Sequence, residues 1–162
     1  MSTSATLRPL VKAALLGALS GSRSATPLAV LALHHDNAEA RGSWQRWALF
    51  RSPVGRGVAV AAGAGELVGD KLPATPSRVG AGPLLGRATS GAVVGAAIST
   101  TAGDGHRVAG AVAGALGALA GSWLFYLARK AVVEKTGLPD LVVALVEDAV
   151  AVSGSVAVVR SR

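Results

Sequence analysis

The sequence predicts an all-α integral membrane protein with about five Gly/Ala-rich helices, and three observations support this. The chain is 51% hydrophobic and 15% charged, and its mean hydropathy is +0.48. Its apolar residues form five runs, most of which approach the roughly 20 residues that cross a bilayer as a helix. Its 21 glycines suit helix packing in lipid, where small side chains let backbones approach closely.

Composition also excludes several classes of function. The chain has no cysteine, so it has neither a disulfide framework nor a thiolate nucleophile. Its net charge is +7, but the basic residues separate the apolar runs and do not form one stripe. We therefore expect contact with lipid headgroups and no nucleic-acid partner. Sequence signatures of hydrolases, zinc proteases and phosphate-binding loops are absent, so we expect no enzyme activity, cofactor or metal.

The chain begins with a polar segment, 1–9, which predicts a frayed N-terminus. The first apolar run follows at 10–33 and contains only two charged residues, Lys12 and Arg23. At a rise of about 1.5 Å per residue this run is long enough to cross the hydrocarbon as one helix.

A polar loop with aromatic residues lies at 34–56. Trp44 and Trp47 are three residues apart and flanked by arginines, a spacing typical of a short amphipathic helix at the membrane interface. The loop also contains the triplet His34-His35-Asp36. Its residue types can bind metals, but adjacent histidines in a loop do not define a metal site.

The second run, 57–69, is short for a span, so the alternative is a re-entrant half-span. All runs together predict a single multi-pass membrane domain over 10–159. The later runs and the basic tail occupy 83–103, 108–128, 141–159 and 160–162.

Glycine pairs spaced four apart occur in four of the five runs and predict close helix packing. The alternative is a general compositional preference for small residues. The pairs are Gly17/Gly21, Gly65/Gly69, Gly82/Gly86, Gly91/Gly95, Gly110/Gly114 and Gly117/Gly121.

One short segment recurs: 17–23 and 117–123 are identical at five of seven positions. After each copy, the next run contains a glutamate, Glu66 or Glu147. With one span between the two pairs of runs, this pattern predicts an inverted repeat, as in many transporters. The alternative is a chance match between two Ala/Gly-rich segments.

Ionisable residues within apolar runs are the candidate site, because buried charge is costly and by default marks a pathway or an ion pair. Arg23 lies among hydroxyls and before Pro27, which is compatible with a broken-helix pocket for an anionic group. The alternative is a structural ion pair with Glu66, Asp70 or Glu147. Glu66 and Glu147 are also candidate proton carriers. The full set of candidate pathway residues is Ser20, Ser22, Arg23, Glu66, Asp70, Glu147 and Asp148.

Three segments resemble the signature blocks of a bacterial membrane family called domain of unknown function 4126. They are Ser20–Leu28, Glu66–Pro73 and Leu145–Asp148, and the resemblance extends over roughly 10–159. It implies a multi-pass protein of the inner membrane and implies no chemical activity.

Two functions remain open from the sequence. The first is a carrier or flippase for an anionic solute or lipid that uses the buried glutamates and Arg23. The second is a membrane scaffold whose glycine faces hold partner helices. Five crossings would place eight basic residues on one side and seven on the other, which predicts a weak orientation preference and permits an antiparallel homo-oligomer.

Overall fold

The computed structural model describes residues 3–69 and 80–161, and its regular structure there is entirely helical, which confirms the all-α part of the predicted fold class; within these ranges it has six α-helices where about five were expected. Residue Asp70, a candidate site residue, lies outside the described residues. The α-helices are α1 (Thr3–Ser22), α2 (Thr26–Leu33), α3 (Pro53–Gly69), α4 (Ala81–Ser99), α5 (Arg107–Thr136) and α6 (Asp140–Arg160).

The first apolar run forms two helices, so the prediction of one continuous span is wrong. Helix α1 ends at Ser22 and α2 begins at Thr26, with Pro27 in its first turn. Proline is tolerated at the start of a helix but interrupts a helix interior. The break therefore lies where the predicted pocket around Arg23 requires it.

Helix α2 turns back toward the end of the protein at which α1 begins. Arg23, just before α2, contacts Asp148 of α6. Leu31, near the end of α2, belongs to the core cluster that contains Leu16 of α1 and Val159 of α6. Because Val159 is three turns beyond Asp148 in α6, α1 and α2 form a helical hairpin whose tip holds Arg23.

Helices α1 and α5 run parallel and in direct backbone contact. A Cβ atom added to Gly17 would lie 2.1 Å from the Gly114 oxygen, and one added to Gly21 would lie 2.4 Å from the Ala118 oxygen. From the first of these contacts to the second, the residue number rises by four on both helices, so the helices run in the same direction. The two copies of the repeated segment therefore lie side by side in the same direction, and the predicted inverted repeat is wrong.

Helix α4 packs antiparallel on the same part of α5. A Cβ atom on Gly91 would lie 2.5 Å from the Gly114 oxygen, and one on Gly95 would lie 2.3 Å from the Gly110 oxygen. Only residues without side chains permit this approach. We call this region the glycine contact; it consists of Gly17, Gly21, Gly91, Gly95, Gly110, Gly114, Gly117 and Gly121.

The two remaining glycine pairs, Gly65/Gly69 and Gly82/Gly86, have open space where a Cβ would be added. They contribute nothing to packing within the described part of the chain. The spacing alone therefore did not distinguish glycines at helix contacts from glycines on open faces.

The loop at 34–56 does not form the predicted interfacial amphipathic helix. It contains two short 3-10 turns, Ala38–Ala40 and Ser43–Arg46. Trp44 and Phe50 are fully buried in the core, with ring centroids 4.9 Å apart at a near-perpendicular angle. The Trp44 indole donates to the Ala40 oxygen at 2.6 Å. Core packing of these aromatic rings therefore determines the loop conformation.

Two segments, Asp104–Thr136 and Asp140–Arg160, are long and apolar enough to cross a membrane. Large apolar side chains are exposed along both, among them Leu116, Leu124 and Leu145. At the other end of the chain, α1 begins at Thr3 within the segment 1–9.

Candidate functional site

The tip of the α1–α2 hairpin lies beside the middle of α5. The Ser122 hydroxyl donates to the Gly21 oxygen at 3.2 Å, and Ser122 is the sixteenth of the 30 residues of α5. Side chains from α3, α4 and α6 reach the same place. We call this cluster the polar tip; it consists of Ser22, Arg23, Ser24, Glu66, Glu147 and Asp148.

Arg23 is fully buried and has the acidic partners that its position predicts. Its Nε donates to Asp148 Oδ1 at 2.6 Å, and a terminal nitrogen lies 3.9 Å from Glu147 Oε2. Its other terminal nitrogen donates to the Ser22 oxygen at 3.2 Å. Burial of a guanidinium requires such pairing, because an isolated charge in a medium of low dielectric constant is very costly.

Glu147 is shared between two arginines. Its Oε2 accepts from Arg129 at 3.1 Å, while its Oε1 accepts from the Ser22 hydroxyl at 3.2 Å. Arg129 also binds Asp140 through its Nε at 2.7 Å and through a terminal nitrogen at 2.5 Å. Arg129 of α5 thus links two carboxylates of α6, those of Asp140 and Glu147.

These ion pairs form a series of alternating charge from the interior to the surface. The exposed fractions of the side chains are 0% for Arg23, 5% for Glu147, 17% for Arg129 and 66% for Asp140. Arg129 thus lies between the carboxylates of Glu147 and Asp140, and Arg23 pairs with Asp148 and Glu147.

Glu66 binds donors that lie just before α2. Its Oε1 accepts from the Ser24 amide at 2.6 Å and the Ser24 hydroxyl at 2.5 Å, and its Oε2 accepts from the Ala25 amide at 2.8 Å. These groups precede α2, where free amides and the helix dipole favour negative charge. Among the described contacts, Glu66 therefore binds backbone and hydroxyl donors, and Arg23 binds the α6 carboxylates.

Two hydroxyls near the polar tip are buried without a hydrogen-bond partner in the described part of the chain. They are Ser20 Oγ, whose residue is 0% exposed, and Thr26 Oγ1, whose residue is 3% exposed. Ser20 was a candidate site residue, and Thr26 was among the hydroxyls expected around Arg23 but outside the candidate set. Buried hydroxyls are normally satisfied, so both need an explanation.

Sequence reasoning missed Arg87 and Ser90. Arg87 of α4 is buried, and the Ser90 hydroxyl of the same helix donates to the Ser24 oxygen. Ser24 was among the hydroxyls expected around Arg23 but outside the candidate set, although serine shortly before a helix-initiating proline is typical of a helix N-terminus. Arg87 could have been found in the same way as Arg23, because it is a charged residue within an apolar run.

A groove between α5 and α6 borders the outer part of the ion-pair series. Its cavity is about 140 Å³, and Arg129 and Glu147 are its polar lining residues. The other lining residues are Phe125, Ala128, Val132, Val143, Val146 and Val150.

The histidine loop pairs internally. His35 Nδ1 lies 2.8 Å from Asp36 Oδ1, and this hydrogen bond holds the pKa of Asp36 below its ordinary value. His34 Nδ1 contacts the Val30 oxygen at 2.9 Å. Within 3–69 and 80–161, no three acidic or histidine side chains are grouped as a metal site would require.

The fold and the polar tip together define a small all-helical protein with a broken helix and an ion-paired centre. The chain belongs to the family described as domain of unknown function, DUF4126, whose model matches residues 10–161. This confirms the family resemblance found in the sequence. No curated protein and no solved structure matches the chain.

Proposed function

We propose that this protein is a multi-pass protein of the bacterial inner membrane that carries an anionic solute or lipid through the polar tip. The observation that carries the proposal is the series of alternating charges from buried Arg23 to exposed Asp140. Structural ion pairs need only satisfy one another locally. A continuous series between the interior and the surface additionally contains two guanidiniums, Arg129 and Arg23, at which an anion that displaces a resident carboxylate can bind.

The chemistry of transfer is an exchange of partners. A guanidinium left unpaired in hydrocarbon costs about 2.5–3.5 kcal/mol on insertion scales. A carboxylate or phosphate that replaces Asp148 at Arg23 keeps that charge paired and accepts the same hydrogen bonds. Glu147 remains bound to Arg129 and Ser22 during this exchange, so the cluster stays assembled.

The apolar surfaces support a location in the bilayer. The two segments long enough to span it carry exposed Leu116, Leu124 and Leu145, which lipid chains would cover. If α5 spans the bilayer, the hairpin tip lies near the midplane, because Ser122 is in the middle of that helix. Binding sites of many carriers lie at that depth, next to broken helices.

Flux in proteoliposomes tests the proposal, with radiolabelled acetate, radiolabelled inorganic phosphate and a fluorescent phosphatidylglycerol as probes. We expect the wild-type protein to move at least one of them. Glu147→Gln should reduce that flux at least tenfold, because the neutral amide no longer pairs with Arg129. The matched control is Glu134→Gln, an exposed carboxylate on α5, which should retain wild-type flux. Movement of none of the three probes by the wild-type protein would contradict the proposal.

The alternative function is a membrane scaffold, and one observation favours it. Among the described residues, no atom lies within 4 Å of a Cβ added to Gly65, Gly82 or Gly86, which leaves room for the close approach of a partner helix. For a scaffold, Gly65→Val should disrupt a complex without changing flux. Loss of flux on Glu147→Gln with unchanged assembly favours the carrier.

Membrane orientation follows from the folded-back α2, which puts the loop at 34–52 at the same end as the start of α1. The count of basic residues is then unequal, and we propose that the end with more of them is cytoplasmic. The described basic residues at that end are Arg8, Lys12, Arg41, Arg46, Arg51, Arg56, Arg107 and Arg160, against Arg87, Arg129, Lys130 and Lys135 in the other half.

Reporter fusions at the C-terminus check this orientation. A fluorescent protein fusion should give signal and an alkaline phosphatase fusion should be inactive, because α6 ends at the basic end of the bundle. Activity of both fusions would mean mixed orientation. In that case the antiparallel homo-oligomer considered in the sequence analysis would replace the fixed topology.

A further inference from the structure

Three donors before α2 hold a carboxylate that belongs to another helix. The Ser24 amide, the Ser24 hydroxyl and the Ala25 amide all donate to Glu66 of α3, at 2.5–2.8 Å. Both oxygens of the carboxylate are engaged. This geometry is the one by which helix N-termini bind free carboxylates and phosphates.

The same helix end has an unused donor. Thr26 is the first residue of α2, it is 3% exposed, and its hydroxyl has no partner among the described residues. Because Cα–Cβ bonds in a helix lean toward the N-terminus, this side chain is directed to the end of α2 where Glu66 binds. A carboxylate has two oxygens, and a phosphate offers additional acceptors for the Thr26 hydroxyl.

The position of α3 at the periphery favours displacement of the Glu66 carboxylate from the start of α2. Helix α3 packs chiefly on α2, and its outer face, including Val58 and Val68, is exposed. Glu66, Ser24 and Ala25 are all partly exposed. Displacement of Glu66 therefore requires a shift of one peripheral helix and leaves the glycine contact intact.

We propose that the N-terminus of α2 binds the oxyanionic group, carboxylate or phosphate, of the carried solute or lipid, and that Glu66 is a resident carboxylate which this group displaces. The inference rests on the proposed carrier function for the identity of the ligand. It assigns Ser24, Ala25 and Thr26 as the oxyanion ligands, with Arg23 adjacent. In the absence of substrate, Glu66 keeps these donors satisfied.

Anion rescue of a Glu66→Ala variant tests the assignment without a transport assay. The full-length variant is placed in nanodiscs of phosphatidylcholine, and its Tm is measured against acetate or inorganic phosphate, with chloride at equal ionic strength as reference. We expect a saturable rise of roughly 2–4 °C at an anion concentration about five times its Kd. Glu134→Ala, which removes an exposed carboxylate, should show no such rise, and Ser24→Ala added to Glu66→Ala should abolish it.

A second arm separates the two sources of the oxyanion. Nanodiscs that also contain phosphatidic acid present a phosphate on a lipid. Stabilisation of Glu66→Ala by this lipid alone assigns a lipid headgroup, and stabilisation by acetate or phosphate in solution assigns a free solute; either supports the site. Equal Tm responses of Glu66→Ala and Glu134→Ala to every anion would overturn it.

A third arm of the experiment controls for failure of the Glu66→Ala variant to fold. If Glu66→Ala cannot be purified, Glu66→Gln, which keeps the side-chain volume, is measured in the same way. If neither folds alone, recovery of folded protein only when acetate is present supports the site, and no recovery overturns it. Anion binding with no flux in proteoliposomes would leave the site intact and would count against the carrier.

Discussion

The glycine contact and the polar tip both include residues of α1 but are built on opposite principles. In the glycine contact, α1, α4 and α5 meet backbone to backbone, with positions such as Gly17 and Gly114 too close to admit a methyl group. In the polar tip, Arg23, Glu66 and Glu147 hold the helices through side-chain hydrogen bonds that have alternative partners. We infer that the glycine contact fixes the directions of the helices, whereas the charged side chains of the polar tip can exchange partners.

The largest effect is expected in the glycine contact. Gly114→Val would put side-chain atoms about where the Gly91 oxygen lies, since even a Cβ would come within 2.0 Å of it. Backbone atoms cannot yield as side chains do, so we expect a loss of at least about 3 kcal/mol in the free energy of unfolding, the upper end of the usual cost of overpacking. Unfolding in detergent, followed by circular dichroism, measures it.

Gly86→Val is the control for that change, because the same substitution there meets open space. It should leave stability unchanged or slightly higher, as valine is a better helix former than glycine. Equal losses for the two variants would mean that close approach of the helices is not what the glycines provide.

A loss of stability of similar size, which a second substitution should reverse, is expected in the polar tip. Arg23→Met leaves Asp148 buried without its 2.6 Å partner and should cost about 3–5 kcal/mol. Because an ion pair replaced by apolar residues of similar size is often neutral, Arg23→Met with Asp148→Leu should regain most of that stability. Detergent unfolding of both single variants and the double variant completes the cycle. No recovery in the double variant would show that other contacts of this pair dominate.

The smallest effect is expected at the surface of α5. Lys130 and Glu134 lie 3.9 Å apart, and both side chains are more than half exposed. Lys130→Ala should change stability by less than about 0.5 kcal/mol, as for other exposed pairs four residues apart. A loss as large as that of Arg23→Met would mean that exposure does not separate functional from incidental ion pairs in this protein.

Part of this arrangement could be predicted from the sequence. The positions of helices follow from apolar runs, and a buried Arg23 with acidic partners follows from the cost of unpaired charge. The break in run one also had a local signal in Pro27. What the sequence could not supply was direction: the 24-residue run at 10–33 is long enough for one span, so nothing in its length required α2 to turn back.

Other features needed the packing register. Arg129 and Glu147 are each nine residues from Leu138, so a tight α5–α6 hairpin brings them together, but only once the hairpin is known. The parallel alignment of Gly17 with Gly114 could not be read from a repeat that fits either direction. Likewise, Trp44 has the spacing of an interfacial helix, and only its contact with Phe50 shows that it belongs to the core.

The central claim is that the polar tip functions in transfer and does not merely hold the helices together. The most direct test is flux in proteoliposomes through the double variant Arg23→Met with Asp148→Leu, using whichever probe the wild-type protein moves. We expect a protein of near wild-type stability whose flux has fallen at least tenfold. Wild-type flux through this stable variant would show that the ion pair is only structural and would contradict a role of the polar tip in transfer.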